Sequence, residues 1–109
     1  MKRYGWMIEL HSHHAQRYKE LHRDVWEDVL NKISDCNITN YTIFLREPEN
    51  ILFGYFEYTG NQFDADMRRM SEDQRTQEWW SLTDPCQNPL DTVNEGEKWA
   101  PMDEVFHHD

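Results

Sequence analysis

A chain of 109 residues holds one hydrophobic core, so residues 1–109 are read as a single domain. Only 38% of residues are apolar, but 14% are aromatic, including five Trp and five Tyr; rings that bury so much area exclude a disordered chain. Eleven basic against twenty-one acidic residues leave a net charge of −10, which disfavours nucleic acid and anionic membrane and is compatible with a neutral ligand such as a sugar.

The two cysteines, Cys36 and Cys86, make no disulfide framework and form no CxxC pair. The N-terminus begins Met1-Lys2-Arg3 but reaches Glu9 and a histidine cluster, without the apolar run of a signal peptide. No stretch approaches the ~20 apolar residues of a membrane span. The expectation is a soluble, cytoplasmic protein.

From residue 3 to residue 11 the pattern alternates. Tyr4, Trp6, Ile8 and Leu10 fall on one face, and Gly5, Met7, Glu9 and His11 on the other, which predicts a half-buried strand. Ser12 is a suitable N-cap for a following helix. Over residues 13–35, Tyr18, Leu21, His22, Val25, Trp26, Val29, Leu30 and Ile33 recur at three- and four-residue steps. That stripe predicts one amphipathic helix lying flat on a core, ended by Asn37.

Tyr41, Ile43 and Leu45 alternate in a second strand, and Ile51 to Thr59 form a third, rich in Phe and Tyr. Glu47-Pro48-Glu49-Asn50 is turn chemistry, so the two strands form an antiparallel hairpin. Residues 62–72 and about 75–83 read as helices, the second stopping before Asp84-Pro85. An irregular stretch covers 85–101, and Met102 to His107 is read as a last short strand. This order is that of an α+β, ferredoxin-like βαββαβ sandwich with helices on one sheet face. The other face would be bare and apolar, and a second copy of the chain is the expected cover.

His22 is the first candidate for chemistry. It interrupts an apolar stripe, and a polar group there is either hydrogen-bonded within the core or lines a cavity. Tyr18, one turn earlier, sets a second proton-capable group beside it. Such a pair facing a sheet suits general acid/base work. Trp79 and Trp80 diverge by about 100° on a helix, so at most one packs squarely into the core. The other is surface, an interface contact or a ligand wall. His11, His13, His14, His107 and His108 lack zinc-motif spacing, and no metal site is assigned. There is no GxGxxG, phosphate-cradling loop or GxSxG elbow.

Nearly end to end, these residues resemble the L-rhamnose mutarotase family. The resemblance is carried by Tyr18-x-x-x-His22-x-x-x-Trp26, Asn40-Tyr41-x-Ile43-x-Leu45, Trp79-Trp80 with Thr83-Asp84, and Glu104-Val105-Phe106. It implies a ferredoxin-like fold forming a dimeric α/β barrel, and a homodimer acting on a small neutral monosaccharide with no cofactor. It implies that His22 is the acid/base and that Tyr18, Tyr41, Trp79 and Trp80 contact the sugar. The implied reaction interconverts the anomers of a 6-deoxy-L-sugar, with L-rhamnose ahead of L-fucose. The rivals are a small monooxygenase of the same fold and a non-catalytic ligand-binding module, because fold alone does not fix function.

Overall fold

Lys2–Leu10 (β1) is the strand on which the rest assembles. A computed structural model of the chain describes all residues, 1–109. β1 pairs antiparallel with Ile51–Tyr58 (β3), from Lys2↔Tyr58 to Glu9↔Ile51. On its other side run two short strands, Gln87–Asn88 (β4) and Ala100–Met102 (β5), both antiparallel to it. Ile38–Arg46 (β2) closes the opposite edge against β3, giving the order β2-β3-β1-β4 with β5 also beside β1. The expected strand order is present, and the helices cover one face.

The alternation works as read. Ile8, Leu10, Leu52, Phe56 and Tyr58 are buried toward the helices. Gly54 takes its place in the same buried row of β3, Leu52-Gly54-Phe56-Tyr58. The most deeply enclosed side chains, Phe56, Ile8 and Leu52, each contribute roughly 1.5–3 kcal/mol through removal from water. In β2 the register slips between Thr39 and Thr42, so Asn40 and Tyr41 together oppose the single residue Phe56. Asn40 takes the left-handed conformation this bulge needs (φ 51°), which Asn tolerates well. Tyr41 is thereby set among Trp6 and Phe56 on the helix-facing side.

The helical side corrects the sequence reading in three places. The single helix over 13–35 is two, Ala15–His22 (α1) and Glu27–Asp35 (α2), because Trp26 leaves helical geometry with ψ 134°. Ser12 opens a short 3-10 turn, Ser12–His14, and no side chain caps the start of α1. Leu30, placed in the apolar stripe, is 49% exposed. Two further helices, Phe63–Glu72 (α3) and Gln74–Thr83 (α4), match the reading closely, and a 3-10 turn at Asp84–Cys86 follows. Asp73 caps α4, its carboxylate accepting from the Thr76 backbone N–H at 3.0 Å and the Thr76 hydroxyl at 2.8 Å.

The last strand also needs correction. It lies at Ala100–Met102, earlier than expected, because these residues pair with Gly5, Trp6 and Met7. Residues 103–109 form no strand and are exposed, Val105 and Phe106 at 95% and 80%. On the sheet face away from the helices, Phe44 stands opposite Phe53 and Phe53 opposite Met7. Phe44 is 63% exposed there, so an apolar outer face is present as expected.

Two core clusters share the inner face. One joins Ile8, Leu10, Ala15, Tyr18, Leu52 and Cys86; the other joins Cys36, Ile38, Phe56, Tyr58 and Met70. Beside the second lies a closed polar knot. Asp66, buried on α3, accepts from the Tyr58 hydroxyl at 2.5 Å, Asn37 Nδ2 at 2.9 Å and Arg69 at 2.9 and 3.2 Å. These bonds hold its carboxyl at about 2, well below the usual range.

Candidate functional site

His22 occupies the last position of α1, one helical turn after Tyr18. Its ring stacks on the Tyr18 ring with centroids 4.2 Å apart. His22 Nδ1 lies 2.8 Å from the Tyr18 carbonyl oxygen. A carbonyl only accepts, so Nδ1 carries the proton and donates it. That bond fixes the tautomer and leaves Nε2 with a free lone pair. Half-burial lowers the His22 pKa, so the imidazole is neutral near pH 7. A neutral, oriented imidazole with one open nitrogen is a general base.

Tyr18 is buried in the first core cluster, and burial pushes its phenol up to about 12. Gln87 Nε2 donates to its oxygen at a long 3.4 Å. The phenol therefore keeps its proton at all ordinary pH values and serves as a hydrogen-bond donor.

Trp79 stands edge-on to His22 at 5.4 Å and is only 6% exposed. Trp26 stands edge-on to Trp79 in turn at 5.3 Å, and the Arg75 guanidinium covers Trp26 at 4.1 Å. Arg75 is itself paired with Asp28 and Glu78, at 3.3 and 2.6 Å. The break between α1 and α2 is what brings Trp26 into this row. Trp80, the neighbour of Trp79, turns away and packs half-buried against the second core cluster. The two tryptophans thus divide as helical geometry requires.

Tyr41 comes from the bulge in β2. It is 36% exposed, with its ring against Trp6 and Phe56. Burial, with a smaller contribution from Tyr18, drives its phenol strongly upward, and no hydrogen bond offsets this. The structure therefore gathers Tyr18, His22 and Trp79 directly and brings the Tyr41 hydroxyl within the electrostatic reach of Tyr18. Trp80 is reached only through the adjoining cluster.

Other expectations take simple positions. Asp84, the carboxylate of the Thr83-Asp84 motif, is ion-paired with Lys98. His11, His13 and His14 lie with ring centroids 4.3–6.3 Å apart, but no three His, Cys, Asp or Glu are arranged to hold a metal ion. His107 pairs with Asp109 at 2.6 Å in the tail. A surface hollow of about 440 Å³ is lined by Asp28, Asn31, Lys32, Asp35, Asp73 and Arg75 and contains none of the candidate residues. No helix is long and apolar enough to cross a membrane.

Sequence reading missed two elements of this region. One is Arg75, whose role over Trp26 depends on a helix break that periodicity did not signal. The other is Trp6, whose indole Nε1 is the one buried side-chain polar atom without a hydrogen-bond partner. Its face in β1 was legible; its missing partner was not.

Comparison with known proteins bears on the family and the fold. A family model described as L-rhamnose mutarotase matches residues 3–108. An L-rhamnose mutarotase of Oceanobacillus iheyensis is 27% identical over 109 residues, covering 100% of both chains. The solved structure of the L-rhamnose mutarotase FA22100 from Formosa agariphila superposes with a TM-score of 0.79 at 22% identity, again covering 100% of both. A polyketide cyclase, the tetracenomycin F2 cyclase from Streptomyces glaucescens, shares the fold at TM-score 0.69 and 12% identity, covering 99% of this chain and 96% of that one. At that identity the likeness speaks for fold alone.

Proposed function

The chain belongs to the L-rhamnose mutarotase family, and from that premise we propose that it interconverts the α and β anomers of a 6-deoxy-L-sugar, L-rhamnose first, with His22 as acid/base. The observation that carries this reading is the state of His22. Its Nδ1 proton is committed to the Tyr18 carbonyl, and its Nε2 makes no hydrogen bond, in a ring held between the Tyr18 phenol and a buried tryptophan.

Mutarotation requires the anomeric hydroxyl to lose a proton while the ring oxygen gains one. The C1–O5 bond then breaks to give the open aldehyde. Rotation about C1–C2 presents the other face of the carbonyl, and reclosure returns the protons. His22 Nε2 accepts the anomeric proton in opening and returns it in closure, a cycle suited to a group that titrates near neutrality. Tyr18 and Tyr41 remain neutral and donate hydrogen bonds to sugar oxygens. The Trp79 ring supplies apolar wall for the sugar's carbon face, and Trp80, on the other side of its helix, borders the site through the second core cluster. Water delivers the proton that O5 takes up as C1–O5 breaks and removes it again on reclosure; no oxidation state changes, so these side chains and water suffice, with no cofactor.

We further propose that two copies pack through the outer sheet face. Phe44, Phe53 and Met7 form its centre, and exposed Met102 extends it beside Gly5. Sedimentation of the protein checks this, with twice the chain mass expected.

Saturation-transfer NMR on equilibrated L-rhamnose, and separately on L-fucose, tests the reaction. Catalytic protein should carry saturation between the two anomeric signals, and the His22→Asn variant should not. Equal transfer with both sugars would remove the preference for L-rhamnose. No transfer with either would overturn the activity for these substrates.

A further inference from the structure

We propose that Trp6 is an additional substrate-contacting residue, donating its indole N–H to a hydroxyl oxygen of the sugar. This rests on the mutarotase reading and adds to it a residue on the sheet.

Three observations converge on it. Trp6 Nε1 is the one buried side-chain donor left without an acceptor. Buried N–H groups are nearly always paired, so an orphan calls for a partner that the protein itself does not contain. The surroundings also hold no rescue. The rings against Trp6 are Phe56 at 5.0 Å, Trp99 at 5.3 Å and Tyr41 at 6.4 Å, none of them a strong acceptor.

The strand is shaped to receive this edge of the indole. Gly54 is the cross-strand partner of Trp6 and falls in the row of large buried side chains on β3. A Cβ at Gly54 would lie 2.3 Å from Trp6 Nε1 and 2.4 Å from Cδ1. The N–H edge therefore rests directly on the bare backbone of β3. The same stretch of β3 is paired on its far side with β2, which carries Tyr41. The Tyr41 ring stands edge-on to Trp6 at 6.4 Å and continues the same aromatic surface.

The chemistry of that surface selects its ligand. Rings with isolated neutral donors suit an uncharged molecule with apolar faces and hydroxyl oxygens. The nitrogen is buried, so a hydroxyl reaches it only by displacing a ring, and Trp99 is the ring held outside the regular elements. It stacks on Trp6 from the irregular segment before β5, whereas Phe56 and Tyr41 are anchored in strands.

The test is the Trp6→Phe variant in the same anomer-exchange assay. Loss of the donor should raise KM about tenfold, the size of one hydrogen bond, with kcat within about twofold. The melting temperature should not fall appreciably, since the variant also removes an unpaired donor. If the smaller ring itself disturbs folding, benzothienylalanine at position 6, with sulfur in place of the N–H, keeps the shape and decides the matter. An unchanged KM in that isostere would overturn the assignment while leaving the mutarotase reading intact. No exchange by the unsubstituted protein would overturn both.

Discussion

The two ends of the inner sheet face handle polar groups in opposite ways. Around Asp66 every demand is met: Tyr58, Asn37 and Arg69 all donate to one carboxylate, and Arg69 also reaches Asp35. Around His22 the demand is left open at Nε2, and Trp6 Nε1, between the two core clusters, is open as well. The first arrangement ties the end of α2, the end of β3 and α3 together. The second leaves binding capacity for a guest. One end contributes stability and the other gives some of it up, because open buried donors and acceptors are costly until something answers them.

The sharpest way to break this contrast is the His22→Asn variant. Activity should fall by about 10²–10⁴-fold, the usual worth of general acid/base catalysis, with little change in calorimetric melting temperature. A large thermal loss with retained exchange would make His22 a core residue and the contrast false.

Acid should have the next largest effect. Burial holds His22 below its ordinary 6.5, so the folded protein takes up this proton less readily than the unfolded chain. The base form is then complete at neutral pH, and kcat/KM should drop roughly tenfold per unit once pH falls below the folded value. The same group erodes stability as pH falls below 6.5, because the unfolded chain binds the proton first. A profile with its acid limb above 6.5 would contradict the burial argument.

Asp66→Ala should do the reverse of His22→Asn. It strands the donors of the knot and should lower the melting temperature by about 10 °C, with kcat/KM of the folded protein within about twofold of the unsubstituted chain. Asp66 has its own acid signature. Its folded value of about 2 lies below the ordinary 3.8, so its contribution is complete above 3.8 and is lost as pH falls toward 2. Urea unfolding at pH 5 and pH 3 reads this directly, and the difference should shrink in the Asp66→Ala variant. The smallest effect is expected from Tyr58→Phe, which removes one of the knot's donors and should cost a few degrees.

Much of this division was legible in the sequence. The alternation of Tyr4, Trp6, Ile8 and Leu10 and the spacing of Tyr18 and His22 gave the strand face and the stacked pair. The break at Trp26 was not legible, because Arg23-Asp24-Val25-Trp26 contains no Pro or Gly and keeps the helical period. Tertiary packing against Trp79 accompanies a break that propensity does not announce. The last strand was misplaced for a similar reason. Val105 and Phe106 look like strand residues, but pairing with β1 takes the blander Ala100–Met102. The Asp66 knot escaped notice because its members, Asn37, Tyr58, Asp66 and Arg69, lie up to 32 positions apart in the chain.

The contact between Gly54 and Trp6 has a consequence for descent as well as for binding. The indole fills the space that a side chain at position 54 would take, so position 54 cannot drift alone. A lineage that gains even a methyl group at position 54 must first, or simultaneously, shrink or turn the ring at position 6. Among related chains these two positions should therefore covary, with a bare strand beneath a large indole and a smaller ring wherever the strand has acquired a side chain.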